Sequence, residues 1–177
     1  MTYTIRASAV AIAVSVTVPL LFAAQAQARR VDVEIGGGAA ITVDADLEDR
    51  VENGGQAVLN AAVEIADRWY LELLTGWAGL DDETDDSSED VFQFGAGLRH
   101  YLTADPDKTA RVFVSAGYAY FDGFPPDDDA NMFYVGPGVR MRAGERSGFL
   151  LKLPFYIRSN DGDSLMMPTL AFFFSWP

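Results

Sequence analysis

The sequence predicts an all-β chain, an eight-stranded antiparallel up-and-down transmembrane β-barrel, and three observations carry that prediction. Between Val31 and Trp176 a run of about ten to twelve residues, alternating apolar with small or polar side chains, recurs eight times with a turn after each. After Arg29 every apolar run is broken by charge or Gly within about a dozen residues, too soon for a membrane helix. A chain without such a helix can enter a bilayer only as a closed barrel, which leaves no backbone group unpaired in hydrocarbon.

The third observation is the N-terminus. Arg6 is the only charge in residues 1–28, an apolar run extends from Ala7 to Ala24, and Ala24-Gln25-Ala26-Gln27-Ala28 offers two small-x-small sites. This is the pattern of a cleaved secretory signal peptide. The expected organisation is a signal peptide over 1–28 and one barrel domain over 29–177. Cysteine is absent, so neither disulfides nor thiolate chemistry enter.

The eight strands are expected at 31–43, 56–66, 69–80, 91–101, 111–121, 131–142, 148–158 and 165–176. The first opens Val31-Asp32-Val33-Glu34-Ile35, which sets Asp32 and Glu34 on one face. The second carries Glu64 on that face and runs into the turn Asp67-Arg68. In the third, Leu71, Leu73 and Trp77 face outward and Glu72 inward; in the fourth, Phe92, Phe94 and Leu98 oppose Arg99. The fifth sets Val112 and Val114 against Arg111, and the sixth Phe133 and Val135 against Arg140 and Arg142. Phe149 to Arg158 gives the clearest alternation, with Leu151, Leu153 and Ile157 outside and Lys152 and Arg158 inside. Leu170, Phe172 and Phe174 mark the outer face of the last strand. Pro137, Pro154 and Pro168 fall inside strands paired on both sides; they remove ladder donors, and bulges or local unpairing are expected there.

Charges buried in a lumen must be paired. The inward set Glu34, Glu64, Glu72, Arg99, Arg140, Arg142, Lys152 and Arg158 is therefore expected to form a salt-bridged plug, because eight strands enclose only enough space for side chains. Arg140 or Arg142 is expected to pair with Glu64 or Glu72. Trp69, Tyr101 and Trp176 at one end, and Trp77, Tyr118 and Tyr120 at the other, are expected to form the interfacial aromatic girdles.

Loop lengths orient the barrel. Connections after the second, fourth and sixth strands are short or moderate, as periplasmic turns are. Those after the first, third, fifth and seventh carry eighteen of the 26 acidic residues and one basic residue, Arg50. Without Arg6 the chain holds 12 basic against 26 acidic residues, a net charge of −14. That balance excludes nucleic acid as a partner, since phosphate binding needs clustered Lys and Arg. No cofactor is expected beyond weak contacts of Ca²⁺ or Mg²⁺ at Asp81, Asp82, Asp85, Asp86, Asp127, Asp128 and Asp129. Solvated loops without bound metal are the plainer expectation, because the run Asp81-Asp82-Glu83-Thr84-Asp85-Asp86 lacks the Gly and terminal Glu of an EF-hand.

The alternating strands Phe92-Gln93-Phe94-Gly95-Ala96-Gly97-Leu98-Arg99-His100-Tyr101 and Arg111-Val112-Phe113-Val114-Ser115-Ala116-Gly117-Tyr118, with the terminal Leu170-Ala171-Phe172-Phe173-Phe174-Ser175-Trp176, resemble the small eight-stranded outer-membrane barrels, the family of the OmpA transmembrane domain and OmpX. The resemblance implies export through the periplasm to the outer membrane of a Gram-negative bacterium. It also implies contact with outer-membrane lipids and lipopolysaccharide, insertion by the barrel-assembly machinery, and a monomer. Pro177 after Trp176 departs from the terminal aromatic that the machinery reads in that family.

A structural or interaction barrel, not an enzyme, is the expected function. The alternative is a narrow gated pore for small solutes. A lipid A-modifying enzyme is disfavoured because His100, the single histidine, falls at the periplasmic end facing lipid with no Ser near it in sequence. A soluble lipocalin-like binder would turn the charged face to solvent, against the placement of the girdles.

Overall fold

Alternation along the chain becomes a closed wall of β-strands. The computed structural model describes residues 30–43, 54–81, 88–105, 108–124, 129–158 and 164–176. These form β1 (Val31–Thr42), β2 (Gly54–Ala66), β3 (Trp69–Asp81), β4 (Ser88–Tyr101), β5 (Ala110–Asp122), β6 (Asp129–Arg142), β7 (Ser147–Lys152), β8 (Phe155–Arg158), β9 (Ser164–Met166) and β10 (Thr169–Trp176). β7 with β8, and β9 with β10, are the two halves of the seventh and eighth strands. Each neighbour pairs antiparallel, and β10 returns to β1 with Val31 opposite Trp176 and Gly38 opposite Thr169, so the ring has eight strands and no free edge. The expected signal segment 1–28, Arg50 and Pro177 lie outside the described residues.

Side chains follow the period of two. Val112, Val114, Phe133, Val135, Leu151, Leu153, Leu170, Phe172 and Phe174 all point outward and are exposed, while the alternate positions are buried. An apolar outside and a filled inside suit a wall standing in lipid.

Pro137 does not break its strand, because β6 runs through it to Arg142. The interruptions lie at Leu153-Pro154 and Met167-Pro168. The registers set Pro137 opposite Leu153, Pro154 opposite Met167 and Pro168 opposite Ala39. In each pair the proline carbonyl still accepts a hydrogen bond, from Leu153 N (3.0 Å), Met167 N (3.1 Å) and Ala39 N (3.3 Å), and only the reverse bond is lost. Two of the carbonyls deprived in this way are served from the lumen. Thr169 Oγ1 donates to Met167 O at 2.9 Å, and Gln56 Nε2 donates to Ala39 O at 3.2 Å while also reaching Thr169 Oγ1. Gln56→Leu keeps the size of the side chain and strands Ala39 O inside the wall. We expect it to cost about 1–3 kcal/mol, read as a lower midpoint of thermal unfolding in detergent.

Inside the ring, large rings lie across glycines on the paired strand. Phe113 faces Gly138, Phe173 faces Gly148, and Tyr134 faces Gly117 and through it Gly97. A Cβ on Gly117 would stand 2.7 Å from the Tyr134 ring, so the glycine is what lets the ring lie flat. The filling is layered. Towards the short turns, Tyr70, Tyr101, Phe113, Leu150 and Phe173 interleave with arginines. Towards the long loops, Leu80, Val91, Phe121, Phe124, Met132, Leu165 and Met167 make an apolar plug. Gly123, at φ 79°, turns the chain after β5 so that Phe124 is fully buried against Phe121, ring centroids 5.9 Å apart.

Candidate functional site

Four charged side chains from four strands meet at mid-lumen. Alternation sends Glu34 from β1, Glu72 from β3, Arg99 from β4 and Lys152 from β7 to the same face, and closing the ring brings them together. Arg99 donates to Glu34 Oε1 at 2.5 Å and, through Nε, to Glu72 Oε1 at 2.7 Å; its Nη2 also pairs with Glu72. Lys152 Nζ lies 3.0 Å from Glu34 Oε2 and 2.8 Å from Glu72 Oε1. Two carboxylates thus face two cations, all but fully buried, with formal charge balanced. Arg99 also donates to Tyr101 Oη at 3.3 Å and lies over the Phe113 ring at 4.6 Å. The face of the ring is a favourable surface on which to bury a guanidinium.

A polar band sits between this cluster and the apolar plug. Gln93 Nε2 donates to Tyr156 Oη at 2.6 Å, and Asn60 Oδ1 accepts from Thr75 N at 3.2 Å. Asn60, Gln93 and Tyr156, with Ser115, Tyr134 and Thr169, line a cavity of about 20 Å³, room for roughly one water molecule.

The eight lumen charges read from the sequence separate into distinct groups. Glu34, Glu72, Arg99 and Lys152 form the cluster. Arg140 does not reach Glu64 or Glu72; it pairs with Asp32, Nε to Oδ2 at 3.3 Å, and donates to Ser175 Oγ at 2.8 Å. Around the ring Asp32 on β1 and Glu72 on β3 each stand three strands from β6 and Glu64 on β2 stands four away, but Glu72 is already held by Arg99 and Lys152, which leaves Asp32 to Arg140. Glu64 and Arg142 are half-buried near the short-turn mouth, outside the cluster. Arg158 stands in the other half and donates to Asp129 O at 3.3 Å.

Of the expected girdle residues, Trp69, Trp77, Tyr118 and Trp176 are exposed outward and Tyr120 is half-exposed. Three of their polar atoms are held by a neighbouring strand: Trp77 Nε1 by Asp90 (2.8 Å), Tyr118 Oη by Asn131 (2.5 Å) and Tyr120 Oη by Asp129 (3.2 Å). Tyr101 is a correction. It is fully buried, because two residues from Arg99 it must share the inward face, and its place at a strand end does not override that parity. His100 points outward and stacks on Trp69, ring centroids 4.3 Å apart.

Asp82, Asp85, Asp86, Asp127 and Asp128 lie outside the described residues, as does the side chain of Asp81. Asp129 is described, with its carboxylate on Tyr120. Among the described residues no group of three or more His, Cys, Asp or Glu is close enough to hold a metal ion.

A family model for the outer membrane protein beta-barrel domain matches residues 10–154. No curated protein sequence matches the chain. Among solved structures, the N-terminal β-barrel domain of Pseudomonas aeruginosa OprF is similar at a TM-score of 0.59 and 15% identity, over 83% of this chain and 97% of that one. Pseudomonas aeruginosa OprG gives 0.56 and 16%, over 82% and 95%. Yersinia pestis Ail, in complex with the heparin analogue sucrose octasulfate, gives 0.51 and 12%, over 84% and 99%. At these identities the likeness is one of fold.

Proposed function

The chain belongs to the outer membrane protein β-barrel domain family, and from that premise we propose that it is a closed, non-enzymatic barrel of the outer membrane whose work is done by its acidic loops. The observation that supports this reading is the filled lumen. A solute crossing it must separate the Glu34–Glu72–Arg99–Lys152 cluster and then pass Phe121, Met132 and Leu165, all buried to 1% exposure or less. Water-filled channels in this architecture normally need more strands. The narrow gated pore is the reading this filling opposes.

In this proposal the short turns face the periplasm and the acidic loops face outward. An acidic rim does not suit a polyanion such as the one bound by Ail. It suits divalent cations that bridge carboxylates to lipopolysaccharide phosphates. Millimolar Ca²⁺ or Mg²⁺ is then expected to raise the thermal unfolding midpoint above that in Na⁺ at equal ionic strength. An unchanged midpoint would reduce the loops to solvated charge.

The closed lumen has its own test. The chain has no cysteine, so Ser115→Cys places one thiol beside the polar cavity. It is expected to resist a small water-soluble maleimide in the folded barrel and to react once the barrel unfolds. Labelling of the folded barrel at the unfolded rate would mean a continuous water path.

A further inference from the structure

At the short-turn mouth one buried arginine, Arg111, makes no ion pair among the described residues. Among the inward side chains of this half, Arg30, Arg111 and Arg140 stand with the carboxylates Asp32 and Glu64. Asp32 is shared: Arg30 Nε approaches Oδ1 at 3.5 Å, Arg140 Nε approaches Oδ2 at 3.3 Å, and Ser175 Oγ donates to it as well. Glu64 is on β2, three strands from Arg111. Arg111 stands directly opposite Arg140 in the β5–β6 register, so two inward guanidiniums are cross-strand neighbours. Like charges in that relation repel.

Each fully inward arginine of this half lies over a ring. Arg99 covers Phe113 and has Glu34 and Glu72; Arg140 covers Phe173 and has Asp32. Arg111 covers Tyr101 at 3.8 Å, is 3% exposed, and makes no ion pair among the described residues. Its buried Nε has no hydrogen-bond partner there either. The Tyr101 ring fixes the plane of the guanidinium and covers one face, which leaves the edge, with its parallel N–H groups, as the part that can bind. That edge matches the two oxygens of a carboxylate or phosphate.

We propose that the short-turn mouth is an oxyanion site, in which the edge of Arg111 takes a carboxylate or phosphate group supplied from outside the chain. On the orientation proposed above, the donor of that group is an acidic molecule of the periplasm. The site itself rests only on the geometry of the mouth, and in detergent both mouths meet the buffer, so the test does not depend on the orientation.

The experiment follows thermal unfolding of the detergent-folded protein in sodium chloride, sodium phosphate and sodium acetate at equal ionic strength and pH. Phosphate, acetate or both are expected to raise the midpoint by about 2–4 °C over chloride near saturation, in the native protein and in Arg68→Gln, which removes a half-exposed charge of the β2–β3 turn that is paired with Asp67 and leaves Arg111 untouched. The rise disappears in Arg111→Gln and is reduced in Arg111→Lys, which keeps the charge without the fork. A response to phosphate alone identifies a phosphate-bearing ligand, and a response to acetate alone a carboxylate. No rise with either anion in the native protein, or a rise undiminished in Arg111→Gln, overturns the proposal. Should Arg111→Gln fail to fold, the native titration and Arg111→Lys decide it.

Discussion

Arg99→Met is expected to cost the folded barrel about 3–5 kcal/mol, enough to leave much of the protein unfolded in a detergent refolding assay. The side chain is fully buried and, among the described residues, is the one group that bonds Glu34, Glu72 and Tyr101 together. Its loss leaves two buried carboxylates sharing Lys152 alone. The size of the effect comes from the uncompensated charge, not from the net worth of the bridge, because desolvation offsets most of what a buried ion pair gains. Paired removal distinguishes these. Glu72→Leu with Lys152→Leu deletes one charge of each sign and leaves Arg99 on Glu34, so the double variant should cost less than the two single variants added together, by about 0.5–3 kcal/mol. Strict additivity would mean that Glu72 and Lys152 do not interact in the folded protein.

Phe121→Ala is expected to cost about 3–5 kcal/mol as well, although it touches no charge. The ring is T-shaped against both Phe124 and Tyr156, at 5.9 and 5.3 Å between centroids, inside the apolar plug of the long-loop half. Truncation there leaves a dry void that lipid cannot reach and that water enters unfavourably. Phe133, outward on β6 and 57% exposed, is the control, since lipid takes the place of its ring and the loss is smaller. Equal effects of Phe121→Ala and Phe133→Ala would show that the lumen is not packed as a core. The comparison is read from urea unfolding of the two variants in the same micelle.

The strands and their outer face were legible because each carries the alternation over most of its length. All eight appear within three residues of the expected bounds, as with β5, expected at 111–121 and found over Ala110–Asp122. The two-residue turn at Asp67-Arg68 was equally plain, although Arg68 takes the left-handed conformation, φ 64°, usually left to Gly. What the pattern does not contain is the geometry across the lumen. Which carboxylate meets which guanidinium depends on the stagger of strands around the ring, so the pairing of Arg140 with Asp32 was out of reach. Tyr101 was within reach: counting two from Arg99 gives its face, whereas its nearness to a strand end does not.

The apolar plug was missed for a different reason. In Asn131-Met132-Phe133-Tyr134-Val135 both faces are apolar or aromatic, so the period of two fades where the inside turns hydrophobic. The signal that remained was the disappearance of charge from the inward positions of β3 and β5 beyond Glu72 and Arg111. Prolines were read correctly as lost donors, yet the side chains that repair the loss, Gln56 and Thr169, come from neighbouring strands and from residues with no local mark.

The central claim is that the lumen is closed, and single-channel recording tests it most directly. The protein is refolded in detergent, checked for the heat-dependent shift in gel mobility of a folded barrel, and inserted into a planar bilayer in molar KCl. The closed lumen predicts silence across the voltage range from a demonstrably folded barrel. Stable, discrete conductance steps that vanish when the protein is unfolded by heat would contradict it, and would make the Glu34–Glu72–Arg99–Lys152 cluster a gate instead of a plug.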